Sequence, residues 1–161
     1  MLRATADAIS PAITSIFNKS LSQRRVPDNW KTSNVTPISK SGDRSSPSNY
    51  RPISLLPLIS KILEKIVHSR ISHFLYSNQL LSNCQFGFRP RSSTRQEALL
   101  SATRSWFNLL ANHCQVACVF FDVKKAFDSV PHSKIISSLS SIGVNGPLLE
   151  WLQDYLSGRC H

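Results

Sequence analysis

The sequence has no C-x-x-C pair and no cluster of cysteine and histidine at zinc-finger spacing, although it carries four cysteines. That argues against a zinc ribbon or finger, and unpatterned cysteines fit a reduced intracellular compartment, cytoplasm or nucleus. No apolar run approaches the roughly 18 residues needed to cross a bilayer. The stretch LRATADAIS after Met1 is too polar for a signal-peptide core, so no membrane role is expected. Internal repeats are also missing, which argues against a solenoid. Acid is scarce: 9 Asp/Glu stand against 19 Lys/Arg, for a net charge of +10.

That charge is not spread evenly. From Lys19 to Arg104 there are 14 basic and 4 acidic residues, and the rest of the chain holds five of each. All the excess therefore belongs to one segment, and a field concentrated in this way suits a polyanion such as nucleic acid, a nucleoside triphosphate or a membrane surface. A basic solvated face with no partner has the same composition. With 41% hydrophobic residues in 161, the chain is rich enough to fold and long enough for one core, or for the front part of a larger domain.

Ile9, Ile13, Ile16, Phe17 and Leu21 recur at helical spacing and predict an amphipathic helix over residues 8–22. Two β-like pieces, Asn34 to Ser39 and Tyr50 to Leu55, flank the polar loop SKSGDRSSPSN and predict a hairpin with a mobile basic tip. After Pro57, the stripe Leu58, Ile59, Ile62, Leu63, Ile66, Val67, Ile71, Phe74, Leu75 predicts a long helix. A loop, NCQFGFRPRSST, leads to Thr94 and Glu97, which have capping-box spacing and open a second helix through about Ala111. From Gln115, QVACVFFDV is continuously apolar and rich in β-branched and aromatic residues, the pattern of a strand buried on both faces. Pro131 to Ile142 and Pro147 to Leu156 predict two closing helices, ended by Gly143 and Gly158. The expected class is mixed α/β (α+β), with one core strand in need of neighbours.

Asp122 ends that strand. A strand terminus holds a carboxylate still, and with the backbone carbonyl of Val123 it offers hard oxygen ligands of the kind Mg²⁺ takes. An aspartate capping the following turn has the same local sequence.

Several blocks together extend the reading. VFFDVKKAFDSVPH resembles the first catalytic motif of the reverse transcriptases of non-LTR (LINE-type) retrotransposons. VPDNWKTSNVTPISKSGD, NYRPISLL, KILEKIVHSRI and QFGFRPRSST precede it in that family's order and spacing, and GVNGPLLEWLQDYLSGR follows it. The resemblance runs from about Val26 to the end. It implies a right-hand polymerase whose palm uses two metal ions, Mg²⁺ or Mn²⁺, on the primer 3′-hydroxyl and the reacting phosphate. By that resemblance Asp122 is the first catalytic, metal-binding aspartate, with Val123 beside it. Phe127 is the aromatic beneath the sugar of the incoming dNTP, which rejects a 2′-hydroxyl by clash. Lys125 and Ala126 lie at a turn whose amides face the triphosphate. Lys40 and Arg51 match the cations that the fingers place on the same phosphates, and one hairpin carries both.

Gln85, Gly87 and Arg89 fall on the template side, with Arg91 and Arg95 near them; a loop that packs Phe86 and Phe88 inward is the alternative. Lys124 is read as solvated, Asp128 as a cap for the next helix, and Glu150 and Asp154 as surface acids. The family's later Tyr-x-Asp-Asp motif does not occur in the sequence. The expected organisation is a helical lead-in (1–22), a basic fingers-like region (23–112) and the start of a palm (113–161). An incomplete right hand of this kind, built to meet an RNA template, a DNA primer and dNTP, is not expected to polymerise alone. The other reading is a non-catalytic nucleic-acid-binding remnant.

Overall fold

A computed structural model describes residues 5–89, 94–123 and 126–159. Lys124, Lys125 and Arg91 therefore lie outside the described residues, as does the Thr94 side chain of the expected capping box and that of Arg95. The chain is a mixture of helices and one small antiparallel sheet, divided into two compact units: Met1–Arg70 with Val130–His161, and Ile71–Ser129.

In the first unit, α1 (Ala6–Ser22) and the short α2 (Asp28–Lys31) precede strand β1 (Asn34–Ser39). A 3₁₀ turn at Pro47–Asn49 leads into β2 (Tyr50–Leu55), and α3 (Leu58–Ser77) follows, its residues from Ile71 on belonging to the second unit. The helical stripe of α1 turns Phe17 inward, and α3 buries Leu63 and Val67, one turn apart. These residues, with Val26, Val144 and Trp151, form the buried apolar core. Trp151 comes from the last helix, α7 (Pro147–Leu156), which packs on α1 and follows α6 (His132–Ser141).

An indole is buried at low cost only when its N–H finds an acceptor. Here Trp151 Nε1 donates to Ser20 Oγ at 3.0 Å, and that hydroxyl donates to the carbonyl of Arg25 at 2.6 Å. Trp151 stacks on Tyr155, Phe17 meets Trp30 edge to face, and the Arg159 guanidinium lies 4.0 Å from the centre of the Tyr155 ring. Burial pushes the Tyr155 hydroxyl up, against the opposing charge of Arg159 and with that of Glu64.

Asp154 departs from its expected role as a surface acid. Its Oδ2 accepts the backbone N–H of Val26 at 2.7 Å and sits 2.9 Å from Lys31 Nζ, both partly buried. Burial by itself raises the carboxyl pKa and is the largest single influence. The Val26 and Lys31 bonds and the charges of Lys31 and Arg25 outweigh it, and the group ends below its ordinary 3.8. Glu150 pairs with Arg24 at 2.9 Å with both side chains about half exposed, an arrangement worth little.

Among the described residues, four helices end in one device. At the end of α1 the N–H of Arg25 reaches Ser20 O, past Arg24 at φ 56°; α3 closes through Leu80 to Leu75 O past Gln79 at φ 53°. In the second unit, α4 (Thr94–Ala111) closes through Cys114 to Leu109 O past His113 at φ 57°. α6 closes through Val144 to Leu139 O past Gly143 at φ 98°. Each is a six-to-one bond around a left-handed residue, and the expected Gly143 terminator is one of them. The other three carry a side chain into that region and were not legible from glycine placement.

The expected buried strand is not formed. Among the described residues β1 and β2 pair with each other and no further strand is present. Residues 114–123 have no regular structure, and Val119, Phe120 and Phe121 are 74, 83 and 92% exposed. The reason is physical: a strand is buried by neighbours that take its N–H and C=O groups, and this one has none within the described chain. Asp128 also departs from expectation. It lies inside the one-turn helix α5 (Ala126–Ser129), and α6 starts at His132 with Pro131 at its N-cap and no side-chain cap. Among the described residues no helix is long and apolar enough to cross a membrane.

Two measurements check this account. Asp154→Asn is expected to lower stability by about 2 kcal/mol at pH 7, read by urea unfolding. Because a depressed carboxyl stabilises only while ionised, the gap between the two proteins should close as pH falls below 3.8. Independently, His113→Gly should raise stability by about 1 kcal/mol, seen as a higher urea midpoint, since glycine carries no penalty in the left-handed region. A lowered midpoint would show that the imidazole does more than end the helix.

Candidate functional site

The hairpin places two of the expected cations. In its register Ile38 stands opposite Arg51 and Pro37 opposite Pro52. The N–H of Lys40 continues the ladder to Asn49 O at 2.7 Å, so the hydrogen-bonded pairs fall at 40/49 and 38/51, and the two prolines meet at a non-bonded position. There their missing N–H groups cost the hairpin nothing, while each removes a donor from the outer edge. Side chains alternate along a strand, so Lys40 shares the face of Ile38, and hence of Arg51, as its diagonal neighbour. Both are exposed, as is Arg44 at the tip, and none of the three belongs to the ion pairs found among the described residues.

The tip, expected to be basic and mobile, folds back on itself through short hydrogen bonds. Asp43 accepts the Ser45 N–H at 2.9 Å and its hydroxyl at 2.5 Å, the hydroxyl first and the amide second holding its carboxyl below the ordinary value. Asn49 Nδ2 donates to Asp43 O, and the Tyr50 hydroxyl to Arg44 O, each at 2.8 Å. Gly42 at φ 119° permits the turn; a Cβ there would stand 3.1 Å from Asn49 Nδ2.

The remaining described candidates belong to the second unit. Asp122 is exposed at the end of the irregular segment, and Val123 beside it is 64% exposed. Ala126 opens α5, and Phe127 follows with its ring 83% exposed. Gln85 is exposed and Gly87 half-buried in the loop before α4. Arg89, expected to reach a template phosphate, is turned onto its own loop. Its Nη2 donates to Ser82 O at 2.6 Å and Leu81 O at 3.3 Å. Phe88 is 86% exposed, so the loop does not pack it inward.

The donor set does not fit a resident metal ion. Asp122 contributes one carboxylate, and among the described residues no group of three or more His, Cys, Asp or Glu converges. A hard divalent cation asks for about six oxygen ligands, which one exposed carboxylate and a backbone carbonyl do not supply.

Residues 38–161 match the family described as "Reverse transcriptase (RNA-dependent DNA polymerase)". The chain belongs to that family. Its relatives place it with the reverse transcriptases of non-LTR, LINE-type retrotransposons. It is 32% identical over 145 residues to the "Probable RNA-directed DNA polymerase from transposon BS" of Drosophila melanogaster, a match covering 89% of this chain and 16% of that protein. It is 32% identical over 154 residues to the corresponding polymerase of transposon X-element from the same fly, covering 91% and 16%. It is 29% identical over 141 residues to the "Retrovirus-related Pol polyprotein from type-1 retrotransposable element R2" of Popillia japonica, covering 83% and 17%. This reverse transcriptase segment thus spans about a sixth of the curated relatives it matches. The matched residues take in every candidate named above, from Lys40 to Phe127.

The hairpin has a direct test. Lys40→Ala and Arg51→Ala are each expected to shift stability by less than about 0.5 kcal/mol, as exposed substitutions do. Each should nonetheless weaken binding of inorganic tripolyphosphate measured by calorimetry, and the double variant should weaken it further. Unchanged binding in the double variant would remove the hairpin from the site.

Proposed function

We propose that this chain is the fingers and first palm motif of a right-hand RNA-directed DNA polymerase. Its parts are a helical lead-in (1–22), a basic fingers-like region (23–112) and the beginning of the palm (113–161). The observation that carries the reading is the pairing of Lys40 and Arg51 on one exposed face of the hairpin, within the span that matches the family. Arginine brings forked donors to phosphate oxygens and lysine a compact charge, so together they neutralise the triphosphate of an incoming dNTP.

In this reading Asp122 is the first metal-binding carboxylate and Val123 supplies its carbonyl. Lys125 and Ala126 bring backbone amides to the phosphates, and Phe127 lies under the sugar and excludes a 2′-hydroxyl. Gln85 and Gly87 lie toward the RNA template, on a loop that Arg89 holds from within, and a DNA primer completes the substrate. The cation, Mg²⁺ or Mn²⁺, needs more carboxylates than these residues gather, so the segment does not polymerise by itself. The exposed free thiols of Cys84, Cys114 and Cys118 suit a reducing compartment, cytoplasm or nucleus.

The concentration of the whole +10 between Lys19 and Arg104 favours a second reading, a non-catalytic remnant that binds RNA through phosphate contacts. The two separate in one set of assays. Primer extension with Mg²⁺ on the purified chain is expected to give no templated dNTP incorporation; incorporation abolished by Asp122→Asn would overturn the incomplete-site reading. Binding of Mg²⁺-dNTP that weakens in Lys40→Ala, Arg51→Ala and Asp122→Asn supports the polymerase segment. RNA binding that falls steeply with salt and is indifferent to Asp122→Asn, without dNTP binding, supports the remnant.

A further inference from the structure

A ring excludes a hydroxyl by clash only if the ring is held in place. Phe127 has little to hold it within its own element: α5 is four residues long and none is buried, and the ring is 83% exposed. What it meets is Phe88. The two ring centroids are 6.0 Å apart with planes at 83°, the edge-to-face geometry that the aromatic quadrupole favours. Both rings are more than four-fifths exposed, so ordinary core burial does not account for the contact.

Phe88 is itself held from behind. Its backbone lies at φ 60°, the left-handed region that a bulky side chain rarely enters. The neighbouring Arg89 pins the loop by donating to Ser82 O and Leu81 O, and the turn is closed by Gln85 N–H to Ser82 O at 3.0 Å and Cys84 N–H to Ser82 Oγ at 3.2 Å. An arginine used as an internal clamp and a phenylalanine at positive φ together present one exposed ring edge to another. A restraint therefore runs from the carbonyls of Leu81 and Ser82 through Arg89 and the Phe88 backbone to the ring of Phe127.

We propose that Phe88 is a positioning residue that fixes the plane of Phe127 and thereby sets how strictly the site prefers deoxyribose to ribose. This rests on the reading of Phe127 as the ring beneath the sugar, and it adds the residue that makes that ring rigid. Phe88 touches no reacting atom; it acts through its neighbour.

The test uses the whole chain and compares its affinity for Mg²⁺-dATP with that for Mg²⁺-ATP. The wild type should prefer dATP, and Phe127→Ala should erase the preference. Phe88→Leu, which keeps bulk but removes the ring edge, should lower the preference between about twofold and about tenfold while dATP affinity stays within about twofold. Phe88→Tyr keeps the edge and should restore it. In the NMR spectrum, the ring-current shift of the Phe127 ring protons should be lost in Phe88→Leu and kept in Phe88→Tyr. A preference erased by Phe127→Ala but untouched by Phe88→Leu would overturn the inference and leave the sugar-facing reading standing. Absence of any preference in the wild type, or a preference indifferent to Phe127→Ala, would overturn both. An unmoved Phe127 ring signal in Phe88→Leu would remove the contact itself.

Discussion

The carboxylate of Asp154 ties the segment that leads into the hairpin to a helix more than a hundred residues later. It takes the Val26 N–H, which a buried residue cannot leave unpaired, and it neutralises Lys31. Around it Trp151, Ser20 and the Arg25 carbonyl form a second chain of bonds in the same region. The end of α1, the irregular residues after it and α7 are thereby joined, and β1 begins three residues past Lys31. The basic hairpin thus grows from this hydrogen-bonded cluster while its own strands remain exposed.

Exposure of that kind needs explaining, because a two-stranded sheet with free edges invites further pairing. The opposed prolines answer it: Pro37 and Pro52 leave the internal ladder intact and withhold donors from the outside. The same register decides the function proposed for the hairpin. Moving either strand by one residue would send Lys40 and Arg51 to opposite faces. Membership of the reverse transcriptase family and the geometry of the pair are separate observations, and the phosphate-bearing ligand proposed for the hairpin draws on both.

The segment from Gln115 to Val123 shows the opposite relation between sequence and structure. Its residue types are those of a central strand, and the chain described here gives it no neighbours, so Phe120 and Phe121 stand in solvent. Strand propensity is largely a statement about packing against other strands, and without them it produces no strand. Asp122 inherits this condition: the motif stands in the sequence, while among the described residues no convergence of carboxylates of the kind a cation requires is formed.

Periodicity, proline and turn residues by themselves determined where α1, both hairpin strands, α3, α4, α6 and α7 lie, because the helices rest on contacts a few residues apart and the two strands on the single loop that joins them. The order of the motif blocks likewise sufficed to identify the family. Three things belonged to tertiary structure alone: the use of Asp154 as a joint, the turning of Arg89 onto its own loop, and the meeting of Phe88 with Phe127. Nothing in local sequence marks them, since a carboxylate, a guanidinium or an exposed ring has the same propensity whether it faces water or a partner. The folded backbone chooses the partner, and the free energy of that choice depends on distance and burial that a one-dimensional pattern does not carry.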